Sequence, residues 1–134
     1  MQKVFLFIIL FSALNAFSQN LKSCKSVDDV ESLIEGDWKL KNDTKNVVYR
    51  FSISNHKGFI EVLPEMNLPP KAEKTTENEI IINDHENFII VLKRGNYYIE
   101  IQSLYYQMTE KITVLNKINF VYGKGKSQHT FIRD

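Results

Sequence analysis

His56, His85 and His129, the cluster Asp84-His85-Glu86 and a scatter of aromatic rings are the side chains of this 134-residue chain whose types admit chemistry. Imidazole together with carboxylate is a donor set for a divalent metal ion. Each histidine, however, sits in or beside a separate turn-like stretch, and no helical or strand spacing aims two imidazoles at one ion. Adjacent residues in a turn diverge, so Asp84-His85-Glu86 reads as a solvated turn and no metal is expected. The chain has no Gly-x-Ser-x-Gly elbow, no Walker loop, no dinucleotide fingerprint and no His-Glu-x-x-His. Glu61 and Glu100 are isolated carboxylates that read as surface charge, so neither a catalytic residue nor a cofactor is expected. The remaining candidates are the rings, which either line an apolar pocket with tyrosine hydroxyls as polar handles or fill a core.

The elements that position those rings are short and extended. Val47, Tyr49, Phe51 and Ile53 alternate with Val48, Arg50, Ser52 and Ser54, a period of two that marks a strand with one buried face. Asn55-His56-Lys57-Gly58 turns the chain into Phe59-Ile60-Glu61-Val62-Leu63, which predicts a hairpin. Gly95-Asn96, flanked by 88–93 and 97–102, predicts a second hairpin with a type II′ turn, setting Leu92 opposite Ile99 and Ile90 opposite Ile101. That face also carries Phe88 and Tyr97 and is the candidate interior, whereas Ile89, Val91, Lys93, Tyr98, Glu100 and Gln102 face solvent. Ile80-Ile81-Ile82 is a short apolar run, and further strands are expected at 111–115, 118–122 and 129–132. Around Asn116 both faces mix polar and apolar residues, and the pattern does not choose an inward one.

Ahead of the strands, Val27, Val30, Leu33 and Ile34 recur at helical spacing behind Ser26, an N-cap with Asp29 three residues on, and Gly36 closes the helix. Residues 65–79 hold Pro69-Pro70 and almost no apolar side chains, so they read as the longest loop, a solvated crossover before a lid. The fold expected is mainly β: a small antiparallel up-and-down β-barrel of about eight strands with one short N-terminal helix.

Met1-Gln2-Lys3 precedes an apolar stretch that ends at Ala16-Phe17-Ser18, the order of a signal peptide cut after Ser18. The stretch falls short of the roughly 20 residues a membrane-spanning helix needs. The expected organisation is therefore a signal peptide over 1–18, a mobile tail over 19–25 and one barrel domain over 26–134, exported to a periplasmic or extracellular space. Leu21-Lys22-Ser23-Cys24 partly fits a lipobox, but Lys22 and the polar run 18–20 do not, so a free thiol is preferred to a lipid anchor at Cys24. Cys24 is the sole cysteine and leaves stability to packing. Seventeen basic against sixteen acidic residues, with signs alternating through Lys71, Glu73, Lys74, Glu77 and Glu79, exclude the one-signed patch of a nucleic-acid binder.

Gly36-Asp37-Trp38 at the start of the barrel region and Arg133 at its end resemble lipocalins, whose first strand carries Gly-x-Trp and whose last places an arginine across that tryptophan. The chain also resembles the shorter bacterial lipocalin-like domains, over about residues 33–133, and it has no counterpart of the lipocalin Thr-Asp-Tyr motif. The resemblance implies a barrel closed at its base by Trp38 and Arg133 and a role in binding small hydrophobic molecules. On that reading Tyr49, Phe51, Phe88, Ile90, Leu92, Ile99 and Ile101 line the pocket. The alternative is a packed barrel whose outer surface binds a protein partner as an interaction or inhibitor module of the cell envelope. Strands this short enclose little volume, which favours an interior filled by side chains.

Overall fold

The computed structural model describes residues 20–66, 68 and 86–133. The leader, the run 80–82, the cluster 84–86 apart from Glu86, and nearly all of the 65–79 loop lie outside the described residues. One helix, α1 (Val27–Ile34), leads into eight strands: β1 (Gly36–Leu40), β2 (Val47–Ser54), β3 (Lys57–Pro64), β4 (Glu86–Lys93), β5 (Asn96–Gln102), β6 (Gln107–Leu115), β7 (Asn119–Tyr122) and β8 (His129–Ile132). Each strand pairs antiparallel with the next, and β8 returns to β1 through Lys39 opposite Ile132 and Leu40 opposite Phe131. The result is the closed up-and-down barrel expected, mainly β and a single domain.

Helix α1 forms for the reasons its sequence states. The Ser26 hydroxyl accepts from the Asp29 amide at 3.3 Å, and Asp28 and Asp29 place negative charge at the positive end of the helix dipole. Its apolar stripe, Val30, Leu33 and Ile34, is buried in the barrel core and covers the end of the barrel where β1 begins. Residues 21–23 form a 3₁₀ turn capped by Asn20, which bridges to Asn116, and Cys24 packs half-buried against the core. Among the described residues no helix is long and apolar enough to cross a membrane.

Both hairpin turns depart from the expectation, the first in length and the second in position and type. Ser54 pairs with Lys57, so the first turn is Asn55-His56 alone, both in the left-handed region at φ 51° and 62°. In the second, the turn residues are Arg94 and Gly95 at φ 51° and 77°, a type I′ turn in place of the expected II′ at Gly95-Asn96. The pairing moves by two residues: Leu92 opposes Tyr97, Ile90 opposes Ile99 and Phe88 opposes Ile101. A type I′ turn follows the right-handed twist of the strands and takes glycine readily at its second position, which frees Asn96 to pair with Lys93. Because side chains alternate with a period of two, this shift leaves the expected inward face unchanged. Ile89 and Lys93 accordingly face solvent, Lys93 reaching Glu100 across the strands at 3.5 Å.

The ambiguity around Asn116 has a structural cause. β6 pairs with β7 as Ile112 to Tyr122 and then as Leu115 to Phe120, with a bulge between. The bulge switches parity within one strand, so an even-numbered and an odd-numbered residue both turn inward, and no single alternation describes the strand.

Candidate functional site

The barrel has two unlike ends. At the helix end, the Trp38 indole is fully buried and its Nε1–H donates to the Ile34 carbonyl at 2.7 Å. The Arg133 guanidinium lies 3.9 Å from the indole centroid and donates to three carbonyls: Leu33 at 2.8 Å, Glu35 at 3.1 Å and Lys117 at 2.6 Å. Two of those carbonyls belong to the last turn and cap of α1, so one cation stacks on the ring and also satisfies the negative end of the helix. Gly36, at φ 130°, makes the approach fit, since a Cβ there would stand 2.9 Å from Arg133 Nη1. Outside the wall, Arg50 and Asp37, directly opposed on β2 and β1, form a bidentate pair at 2.7 and 3.1 Å.

Between the ends the interior is a ring stack. Phe51 is fully buried, with the centroids of Phe88, Phe120 and Phe131 at 5.6, 5.5 and 5.4 Å. Phe120 in turn meets Trp38 at 5.7 Å and Tyr122 at 5.3 Å. Of the seven residues expected to line a pocket, Phe51, Phe88, Ile90, Ile99 and Ile101 are brought together in this core. Tyr49 is half-buried against Phe131 towards the end opposite the helix, and Leu92 is 47% exposed beside the β4–β5 turn, outside the core cluster. Phe88 and Ile101 also line a cleft of about 360 Å³ in the barrel wall.

Among the described residues, the end opposite the helix is where chemistry is available. Val62, the next inward position on β3 after Ile60, is 57% exposed there. A cleft of about 470 Å³ runs between the β1–β2 turn and the start of β8, lined by Leu40, Tyr49 and His129 and otherwise by polar and charged side chains, among them Lys41, Asp43 and Lys45 on one side and Gln128 and Thr130 on the other. The His129 ring stacks on Tyr122 with centroids 5.0 Å apart, and its Nδ1 lies 2.9 Å from the Ser127 carbonyl, which can only accept, so that nitrogen carries the proton. The Tyr106 hydroxyl donates to the Glu86 carboxylate, and burial first and that hydrogen bond second push its pKa up to about 12. Tyr122 is 3% exposed, yet its hydroxyl has no hydrogen-bond partner among the described residues, and burial drives its pKa strongly upward. A buried phenol without a partner normally costs stability. Sequence reasoning named His129 as a turn histidine but could not set it on Tyr122, because the stack depends on how β7 and β8 pair across the barrel.

A separate cluster sits at the helix end. Asp28 and Glu31 of α1 meet His56 of the β2–β3 turn, with Nδ1 at 3.0 Å from Glu31 Oε1 and 3.5 Å from Asp28 Oδ1. The hydrogen bond to Glu31, then the charges of Glu31 and Asp28, raise the His56 pKa above 6.5. A raised pKa contributes stability fully below the unfolded value and loses it as pH climbs through the folded value. In chelator-treated buffer the melting temperature of the wild type should therefore exceed that of His56→Asn below the ordinary imidazole range, with the gap closing as pH climbs through the raised folded-state value. A gap independent of pH would show that the imidazole's charge does not contribute.

Compared with protein-family models, curated proteins and solved structures, the chain matches none. What fold and site define is a closed eight-stranded antiparallel barrel, sealed by a helix and an arginine at one end, with a ring stack running through its interior.

Proposed function

We propose that this chain is an exported, lipocalin-like protein that binds a small, largely apolar molecule non-covalently at the mouth of its barrel, opposite the helix. The observation that carries the reading is the buried Tyr122 hydroxyl, which has no partner among the described residues and stands beside the cleft holding Tyr49 and His129. A ligand that rests its apolar part on the rings and gives Tyr122 a hydrogen bond fits that end, and about 470 Å³ suits a small molecule. The site lies above the rings and not among them, since Phe51 is already packed against three others. Export rests on the leader-like residues 1–18, and lipocalin-like character on Gly36, Trp38 and Arg133.

The probe 8-anilinonaphthalene-1-sulfonate should show saturable fluorescence uptake by the folded protein. Tyr122→Phe removes one hydrogen bond and should weaken binding of a mouth ligand by about 3- to 10-fold. Absence of saturable uptake, or uptake indifferent to both Tyr122→Phe and Tyr49→Ala, counts against the mouth. A second reading, a surface that binds protein, is favoured by one feature: Leu104 and Tyr105 at the β5–β6 turn are 88% and 92% exposed. Pull-down from the native host that is lost on Leu104→Ser with Tyr105→Ser, while probe uptake persists, would select it.

A further inference from the structure

We propose that Asp28, Glu31 and His56 form a binding site for one divalent transition-metal ion, of which zinc is the type. The site is separate from the mouth and belongs to the helix-sealed end. Two ligands come from one face of α1, three residues apart, and the third from the tip of the β2–β3 hairpin, so the ion would clamp the helix onto the barrel. One ligand atom from each residue lies within 4.8 Å of the others.

Three observations support it. The first is spacing: two ligands held about 2.0–2.2 Å from one ion, at angles between square and tetrahedral, stand about 2.8–3.6 Å apart. The His56 Nδ1 lies 3.0 and 3.1 Å from the Glu31 oxygens and 3.5 Å from Asp28 Oδ1, so an ion can replace the shared proton with little rearrangement. The second is charge. Glu31 is 8% exposed, and its partner among the described residues is a histidine whose side chain is 66% exposed, with no lysine or arginine in contact. A buried carboxylate calls for a cation, and an imidazole that is two-thirds exposed supplies one only while it is protonated. The third is room. A cleft of about 360 Å³ opens over the cluster, lined also by Ser32, Glu35 and Asn55, which leaves space for waters to complete the coordination shell. The donor set of one nitrogen and two carboxylates suits zinc and its first-row neighbours over calcium, which prefers oxygen alone.

Protein purified from its own host, stripped with chelator and titrated with zinc chloride above about pH 7, should bind one ion saturably. Its melting temperature should rise with zinc concentration. His56→Asn, at a turn tip where asparagine tolerates the left-handed backbone, should weaken binding at least about tenfold, and Glu31→Gln likewise. Cys24→Ser should leave it unchanged, and cobalt substitution should give visible bands without a thiolate charge-transfer band. No stabilisation by zinc, equal stabilisation of His56→Asn, or dependence on Cys24 would each overturn the proposal.

Discussion

Replacing Trp38 with alanine should cost the fold about 3 to 5 kcal/mol, the range for deleting a large buried ring that its surroundings cannot collapse into. The indole is fully buried, packs on Phe120 at 5.7 Å and donates to the Ile34 carbonyl. Its removal also strips the face on which Arg133 stacks, so helix and last strand lose their common support. Trp38→Phe keeps most of the volume but orphans the carbonyl and should cost less, about 1 to 3 kcal/mol. Arg133→Lys should not substitute for arginine, because three carbonyls in different directions need the guanidinium fork. Urea unfolding of the three variants reads the series directly. A loss below about 1 kcal/mol for Trp38→Ala would mean that the ring is not part of a cooperative core.

Gly58→Ala should destabilise by about 1 to 3 kcal/mol or more, although glycine to alanine inside a strand is ordinarily a gain of about 0.5 to 1 kcal/mol. The sign is the test. Gly58 pairs with Phe88 across β3 and β4, and a Cβ there would fall 2.6 Å from Phe88 Cε2 and closer still to two other ring carbons. Phe51 packs edge-on against the ring with centroids 5.6 Å apart, so relief can come only by a shift toward the cleft that Gly58 and Phe88 both line. Phe88→Ala alone should cost about 3 to 5 kcal/mol. In the Phe88→Ala background, however, adding Gly58→Ala should be nearly neutral or stabilising, so the two changes couple by about 1 to 3 kcal/mol. Additive effects would show that ring and glycine do not meet.

Much of this was written in local residue order. The period of two through Val47 to Ile53 and through Phe88 to Leu92, the Ser26 cap and the paired turns predict the strands, the helix and the inward face, because each depends on neighbours a few residues apart. The register at Arg94-Gly95 was not legible, since Gly95 serves a II′ turn with Asn96 as well as a I′ turn with Arg94, and only the pairing of whole strands separates them. β6 was opaque because its bulge breaks the alternation that sequence reading relies on. Five of the seven residues expected to line a pocket share the buried core, and a shared inward face does not distinguish a cavity from a filled interior. That depends on ring contacts arriving from β7 and β8.

The chain by itself determined that short amphipathic strands must close on one apolar face, behind a helix that delivers an indole to their start. Tertiary structure alone decided what meets across that closure: Arg133 with a helix carbonyl 98 residues earlier, Tyr122 under His129 at the mouth, and His56 against Glu31 at the sealed end. The reason is one of range. Periodicity, caps and turns are set by backbone sterics and hydrogen bonds between near neighbours, whereas a contact between distant segments exists only once the strands have paired and the sheet has come round on itself.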